Sequence, residues 1–360
     1  MIAFISKNNE IFVSGDTQHA PLGLINTTKA DTLRQLEGFN DVTSLCCKYF
    51  HIIFINDNKL VVYGDNKKGQ LGLGHRKEVK IPKQVKGFND VTSVSCGGNY
   101  IAFINDNKLY TCGKNKYGQL GLGHNDNINI PAQVEGFNNV TSVSCGYEHT
   151  AFISNHKLFV TGDDCIQQFS IYRDDLNVPI LINNFNNVTS VACGIDYTVF
   201  IDNGKLYTCG NNSYGQLGLG HNDDINIPTQ VKDFGINDII QVDVFDDVTS
   251  VSCGQFHTAF INNSKLYTCG DNQFGQLGLG HNNDIDIPTQ VEGFDDVTSV
   301  YCGDDYTTFI NNNKIFVFGS NFRNQLRSDY LHHINKPVKI PNFEPLLPSY
   351  KFKKTKSARK

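Results

Sequence analysis

The stretch VTSVSCGGNYIAFINDNKLYTCGKNKYGQLGLGHNDNINIPAQVEGFNN, from Val91 to Asn139, decides the fold. Thr92, Val94 and Cys96 alternate with Val91, Ser93 and Ser95, which is the period of a strand. Its small residues suit a crowded inner position. Tyr100 to Ile104 reads as a second strand, rich in β-formers. Asn105-Asp106-Asn107 reads as a turn, because Asn and Asp tolerate positive φ and bond their own backbone. Lys108 to Cys112 returns as a third strand. Gly118 to Gly123, GQLGLG, reads as a compact loop in which glycines permit close backbone approaches. Pro131 is expected to introduce a short outer strand around Gln133 and Val134, where an edge need not donate every N–H.

The stretch recurs. Val-Thr-Ser begins at 42, 91, 140, 188, 248 and 297, in steps of 49, 49, 48, 60 and 49. A strand-ending glycine recurs at Gly15, Gly64, Gly113, Gly162, Gly210, Gly270 and Gly319. Four short strands repeated radially imply an all-β, seven-bladed β-propeller of four-stranded blades. A linear β-solenoid is the rival, but its coils are usually shorter and it needs no closure. Ile2-Ala3-Phe4-Ile5 matches a second strand, Ile101 to Ile104, so the first unit lacks its own first strand. Closure by pairing of the N- and C-terminal strands is therefore predicted, with Leu346 to Tyr350 beside residues 2–6; it would remove two exposed sheet edges. Residues 1–350 then form one propeller domain, and 351–360 a basic tail.

The strings YGDNKKGQLGLG, TCGKNKYGQLGLG, TCGNNSYGQLGLG and TCGDNQFGQLGLG, with V-T-S-V-x-C-G and often H-T-A-F downstream, resemble the repeats of the regulator of chromosome condensation family. The resemblance runs from about residue 2 to 345 and implies seven blades. Units one (GDTQHAPLGLINTT), four (GDDCIQQFSIYRDD) and seven (GSNFRNQLRSD) depart from the pattern. The family is similar in fold to exchange factors for small GTPases, to domains of ubiquitin ligases and to other interaction modules. Members that exchange nucleotide on a Ran-like GTPase carry a wedge in a post-glycine loop, and no unit here has extra residues there. A plant relative senses light through clustered tryptophans; this chain has none.

Catalytic and cofactor readings find little support in the residues. GQLGLG is not G-x-G-x-x-G and precedes no helix whose dipole would face phosphate. No P-loop, calcium loop or C-x-x-C occurs, so no cofactor and no metal are expected. His75, His124, His221 and His281 recur in loops, and His51, His149 and His257 share a slot with Tyr100, Tyr197 and Tyr306. Groups spread around a ring in several copies read as structural rather than as one converging site. Cys47, Cys96, Cys145, Cys193, Cys253 and Cys302 share one slot, and Cys112, Cys209 and Cys269 another. They read as small reduced thiols inside strands. Cys46 and Cys165 fall outside both sets.

Positions that vary between near-identical units are the candidates for function. After the Cys-Gly landmark come Tyr49, Tyr147, Glu148, Asp196, Phe256, Asp304 and Asp305, expected on one face around the channel mouth. Their mix of aromatic and acidic residues is common at interfaces, though solvated loops are the competing reading. The glycines Gly64, Gly113, Gly162, Gly210, Gly270 and Gly319 read as structural. The long step of 60 marks an insertion at 233–244, DFGINDIIQVDV, whose Ile236, Ile239 and Ile240 are candidate partner contacts on a small ribbon. A slipped duplication without a role is the alternative.

The last ten residues, KFKKTKSARK, hold six basic residues and no acid; without them 25 basic residues face 36 acidic ones, a net charge of −11. Such a ring is a poor surface for a nucleic-acid backbone, which leaves only the tail for that contact. The alternating N-terminus reads as strand rather than signal peptide, and no apolar run is long enough for a membrane helix. These features lead to the expectation of an intracellular, cytoplasmic or nuclear monomer that binds a protein partner, with no membrane contact. A non-catalytic interaction platform is the first reading. A guanine-nucleotide exchange factor for a Ran-like small GTPase is the alternative.

Overall fold

A computed structural model describes residues 2–6, 8–16, 29–48, 50–163, 175–233, 243–322 and 332–340. These form seven antiparallel sheets arranged as the blades of a propeller, plus one two-stranded ribbon. Blade 1 comprises Ile2–Ile5, Ile11–Asp16 and Lys29–Gln35, and so begins at a second strand as the sequence predicts. Blades 2 to 7 each have four strands, starting from Val42–Lys48, Val91–Cys96, Val140–Cys145, Val188–Cys193, Val248–Cys253 and Val297–Cys302. Those six strands line one central cavity and are therefore innermost.

The ring is continuous through blade 1. Ala3 and Ile5 pack on the core of blade 2, while Phe4 packs on the core of blade 7. The Tyr301 hydroxyl of blade 7 donates to the Cys47 carbonyl of blade 2 at 3.5 Å. The predicted pairing of residues 346–350 with residues 2–6 lies outside the described residues. The chain is described up to Ile340, which is buried and donates its N–H to Ile315 O at 3.0 Å, as Val134 does to Leu109 O at 2.9 Å.

The second and third strands of the Val91 unit fold as the sequence predicts. Asp106 and Asn107 adopt φ of 51° and 56°, which gives the two-residue turn joining the second and third strands. The recurring phenylalanine before the innermost strand supplies an aromatic wedge: Phe88 meets Phe103 and Tyr110 edge-on at 4.8 and 5.0 Å, and those two rings stack at 5.6 Å. Such pairs contribute about 0.5–1.5 kcal/mol each beyond area burial. The same trio recurs as Phe137, Phe152 and Phe159 and as Phe294, Phe309 and Phe316.

The outer strand starts earlier than expected. It runs Ile128–Gln133, with Pro131 inside it rather than before it. Its register with the third strand shifts between Thr111 and Gly113, and Pro131 sits at that irregularity, where no ladder donor is lost.

The GQLGLG loop is the seam between blades. Gly74, Gly123, Gly220 and Gly280 donate their N–H to Asn129, Asn177, Asp286 and Asn335 on the outer strand of the next blade, at 2.7–2.9 Å. Inside the loop a buried asparagine braces the turn. The Oδ1 of Asn115 accepts from Leu120 N at 2.9 Å, and its Nδ2 donates to His124 O at 2.6 Å.

Candidate functional site

The innermost strands surround a cavity of about 480 Å3. Serine hydroxyls stitch its wall from blade to blade. Ser95, Ser144 and Ser252 accept from the backbone N–H of Cys145, Cys193 and Cys302 in the following blade, at 2.9–3.0 Å. In blade 2 this slot belongs to Cys46, whose Sγ accepts from Cys96 N at 3.2 Å. Cys46, which fits neither cysteine set in the sequence, is thus the counterpart of the serines.

One end of the cavity opens among the tips that follow each Cys-Gly. Their backbones form a belt: Gly98 N donates to Tyr147 O, Tyr147 N to Ile195 O, Ile195 N to Gln255 O and Gln255 N to Asp304 O, at 3.0–3.3 Å. The belt places Tyr147, Asp304 and their neighbours on one face. Beneath it lie the landmark glycines. Gly113 has φ +118°, and a Cβ there would stand 2.6 Å from Asn99 O. Gly64, Gly162, Gly210, Gly270 and Gly319 likewise sit against the carbonyls of Phe50, Glu148, Asp196, Phe256 and Asp305.

The candidates differ in how freely they face outward. Tyr147, Asp196, Phe256, Asp304 and Asp305 are half-buried, and the last two line the cavity. Phe256 lies against Tyr214 of the preceding blade, with ring centroids 5.0 Å apart. Burial and the nearby Asp163 and Glu148 push the Asp196 carboxyl up to about 6. Glu148 is buried. It pairs with Lys114 at 2.5 Å and accepts a hydrogen bond from Gln119. The reason lies one blade back. In sibling units Gln70, Gln216 and Gln276 donate to Asp65, Asn211 and Asp271 within their own loop. Lys114 stands in that slot in blade 3, so the acceptor for Gln119 comes from blade 4 instead. Burial raises the Glu148 pKa against the opposing pull of Lys114.

Tyr49, Ile236, Ile239 and Ile240 lie outside the described residues. The base of the insertion is described. Lys232–Asp233 pairs antiparallel with Asp243–Val244, a two-residue ribbon. Phe245 follows it and fills the wedge slot, 4.9 Å from Phe260.

The histidines hold blades together. His149 Nε2 and His257 Nε2 lie 3.0 Å from the hydroxyls of Thr198 and Thr307 in the next blade. The Tyr100 and Tyr197 hydroxyls, in the same slot, donate to the carbonyls of His149 and His257. Burial pushes His149 and His257 down to about 3, and His51 down to about 4. The loop histidines accept a turn hydrogen bond, as His124 Nδ1 does from Asp126 N at 3.1 Å.

A second aromatic group surrounds Phe322, which is 54% exposed and lines the cavity. Phe274, His332 and His333 stand 4.6–5.7 Å from it. The repeat alignment hid this group, because it joins the post-glycine positions of two units to a His pair found once.

Comparison with known proteins places these features in a family. The regulator of chromosome condensation (RCC1) repeat matches residues 57–104, 106–153, 203–261 and 263–310, and a second description of the same repeat matches 188–216 and 248–276. The secretion-regulating guanine nucleotide exchange factor of Mus musculus is 43% identical over 75 residues, which are 21% of this chain and 14% of that protein. The chain therefore matches only a small part of that relative's length. Human WBSCR16 has the same fold, with a TM-score of 0.79 at 20% identity over 92% of this chain and 94% of that one. So does Prp20p of Saccharomyces cerevisiae, described with its binding properties to Gsp1p and histones, with a TM-score of 0.77 at 16% identity over 94% and 88%.

Proposed function

Since the chain belongs to the regulator of chromosome condensation (RCC1) repeat family, we propose that it is a non-catalytic platform that binds a protein partner through the channel-mouth face. The observation that carries this reading is the backbone belt from Gly98 to Asp304. It fixes the main chain of the tips while their side chains vary, so the ring presents different chemistry on one rigid rim. Pre-ordered contact residues lose less entropy on binding. The rim combines Tyr147, Phe256 and Tyr214 with Asp196, Asp304 and Asp305, which suits a partner with a basic surface and apolar anchors. The buried histidines, engaged between blades, serve the scaffold.

Exchange of guanine nucleotide on a small GTPase is the second reading, favoured by the likeness to the secretion-regulating exchange factor. The basic tail at 351–360 is the remaining place for nucleic-acid contact, and the ring is taken to act as a monomer inside the cell.

The test compares Phe256→Ala and Asp304→Lys with an outer-strand control, Ile130→Ser, at an exposed position away from the mouth. Partners are captured by cross-linking to the purified chain, and the same variants enter nucleotide-release assays on small GTPases. Loss of the partner from the mouth variants alone supports the platform. Loss from the outer-strand variant alone overturns it. Accelerated nucleotide release by the parent chain, abolished by mouth variants, selects the second reading.

A further inference from the structure

Cys46 differs from every other residue in its slot. The slot holds Ser95, Ser144, Ala192, Ser252 and Tyr301 in the other units. In blade 2 a thiol replaces the hydroxyl, and it meets the cysteine of the next blade. Cys46 Sγ lies 3.2 Å from Cys96 N and accepts its hydrogen bond. Both residues line the central cavity of about 480 Å3, a volume in the range of small-ligand sites. Lys48, two residues on, lines the same cavity. Cys46 is half-buried, whereas Cys47 and Cys96 are buried.

We propose that Cys46 and Cys96 form a thiol-redox pair in the channel wall, in which Cys46 takes up a low-molecular-weight disulfide and Cys96 resolves it. The surroundings favour a thiolate at Cys46. It accepts from the Cys96 N–H, and the adjoining Cys96 side chain and the charge of Lys48, whose ammonium bonds the Cys145 carbonyl, lower its pKa against burial and Asp304. Burial instead pushes Cys47 and Cys145 up to about 12. Burial raises the Cys96 thiol as well, and Cys96 is buried where Cys46 is half-buried, which separates the attacking role from the resolving one, since the thiolate is the nucleophile.

In the first step the Cys46 thiolate attacks one sulfur of RSSR. The S–S bond breaks, and the departing RS⁻ takes a proton. In the second step the Cys96 thiol gives up its proton to solvent, and its sulfur displaces the remaining RS⁻ from Cys46. The two cysteines lose two electrons and RSSR gains them. The products are two RSH and a Cys46–Cys96 disulfide that joins blades 2 and 3.

The full chain is incubated with glutathione disulfide, quenched by alkylation, digested and analysed by mass spectrometry. A Cys46–Cys96 cross-linked peptide that dithiothreitol removes is expected. Cys96→Ser is expected to trap glutathione on Cys46. Cys46→Ser, which restores the serine of the sibling blades, is expected to abolish both products. In the parent chain iodoacetamide is expected to label Cys46 at least about tenfold faster than Cys145, the effect of one pKa unit on thiolate fraction. Glutathione on other cysteines with Cys46 unmodified would overturn the proposal. So would a mixed disulfide on Cys46 that persists in the parent chain without passing to Cys96.

Discussion

Two glycines of one loop separate the cost of a backbone angle from the cost of breaking a blade seam. Gly118 and Gly123 both have φ +78°. A left-handed backbone costs an L-residue roughly 1–2 kcal/mol, so both alanine substitutions carry that penalty. The added methyl group meets different surroundings. At Gly123 nothing lies within 4 Å of the new Cβ. At Gly118 the Cβ would stand 2.4 Å from Asn177 Cα and 2.6 Å from Asn177 Cβ, on the outer strand of the next blade. That atom is backbone-bound, so the strand must move. Overpacking of this kind costs a further ~1–3 kcal/mol. Gly123→Ala should therefore lose about 1–2 kcal/mol and Gly118→Ala about 2–5 kcal/mol. Urea unfolding at pH 7 gives the two values. Hydrogen exchange at the Gly123 amide, which bonds Asn177 O at 2.7 Å, reports whether the seam opens locally. Equal losses for the two variants, with that amide still protected in Gly118→Ala, would show that the loop does not hold the blades together.

Further outcomes follow from the buried groups. The neutral histidines make the ring acid-sensitive: their native pKa values of about 3 to 4 lie below the unfolded value, so their stability contribution is present above ~6.5 and is lost as pH falls. Between pH 7 and 5 each should cost about 2 kcal/mol, as the unfolded chain takes up the proton, and denaturant midpoints that do not fall over this range would refute it. Asp196 acts with the opposite sign, because its raised pKa of about 6 gives stability below the unfolded value that is lost as pH rises through 6. Asp196→Asn should therefore stabilise the chain at pH 7, by about 1 kcal/mol after allowance for solvent screening, and an unchanged melting temperature would count against the burial argument. Lys114→Asn should destabilise by roughly 3 kcal/mol, since it strands the buried Glu148 carboxylate, and Glu148→Phe by less, since the Lys114 ammonium it strands is partly exposed. The double variant mimics Asn211 and Phe256 at the sibling seam, so a double-mutant cycle should recover at least about 1 kcal/mol; strict additivity would sink the compensation. Deleting residues 234–242 should leave the unfolding midpoint nearly unchanged, because Phe245 already fills the wedge slot; a large loss would make the insertion structural.

The repeat made the ring legible, because every landmark reports the same local geometry several times. Val-Thr-Ser, the Asn-Asp turn and the strand-ending glycine each have a meaning that one unit is enough to read. What stayed hidden depends on two units at once. Asn115 looks like any loop asparagine until its carbonyl and amide are seen to brace the turn that latches onto Asn177. Glu148 reads as a free tip residue because its partner, Lys114, stands 34 positions earlier and breaks a loop pattern visible only beside Asp65 and Asp271. Cys46 seemed outside the repeat for the same reason, since its slot is defined by serines whose task is to bond the following blade. Departures from a repeat thus divide into two physical kinds. Some, like Lys114 with Glu148, are matched by a second departure across a seam and serve the ring. Others, such as Asp304 and Phe256, change what the belt displays without altering its backbone bonds, and there a partner has something to recognise.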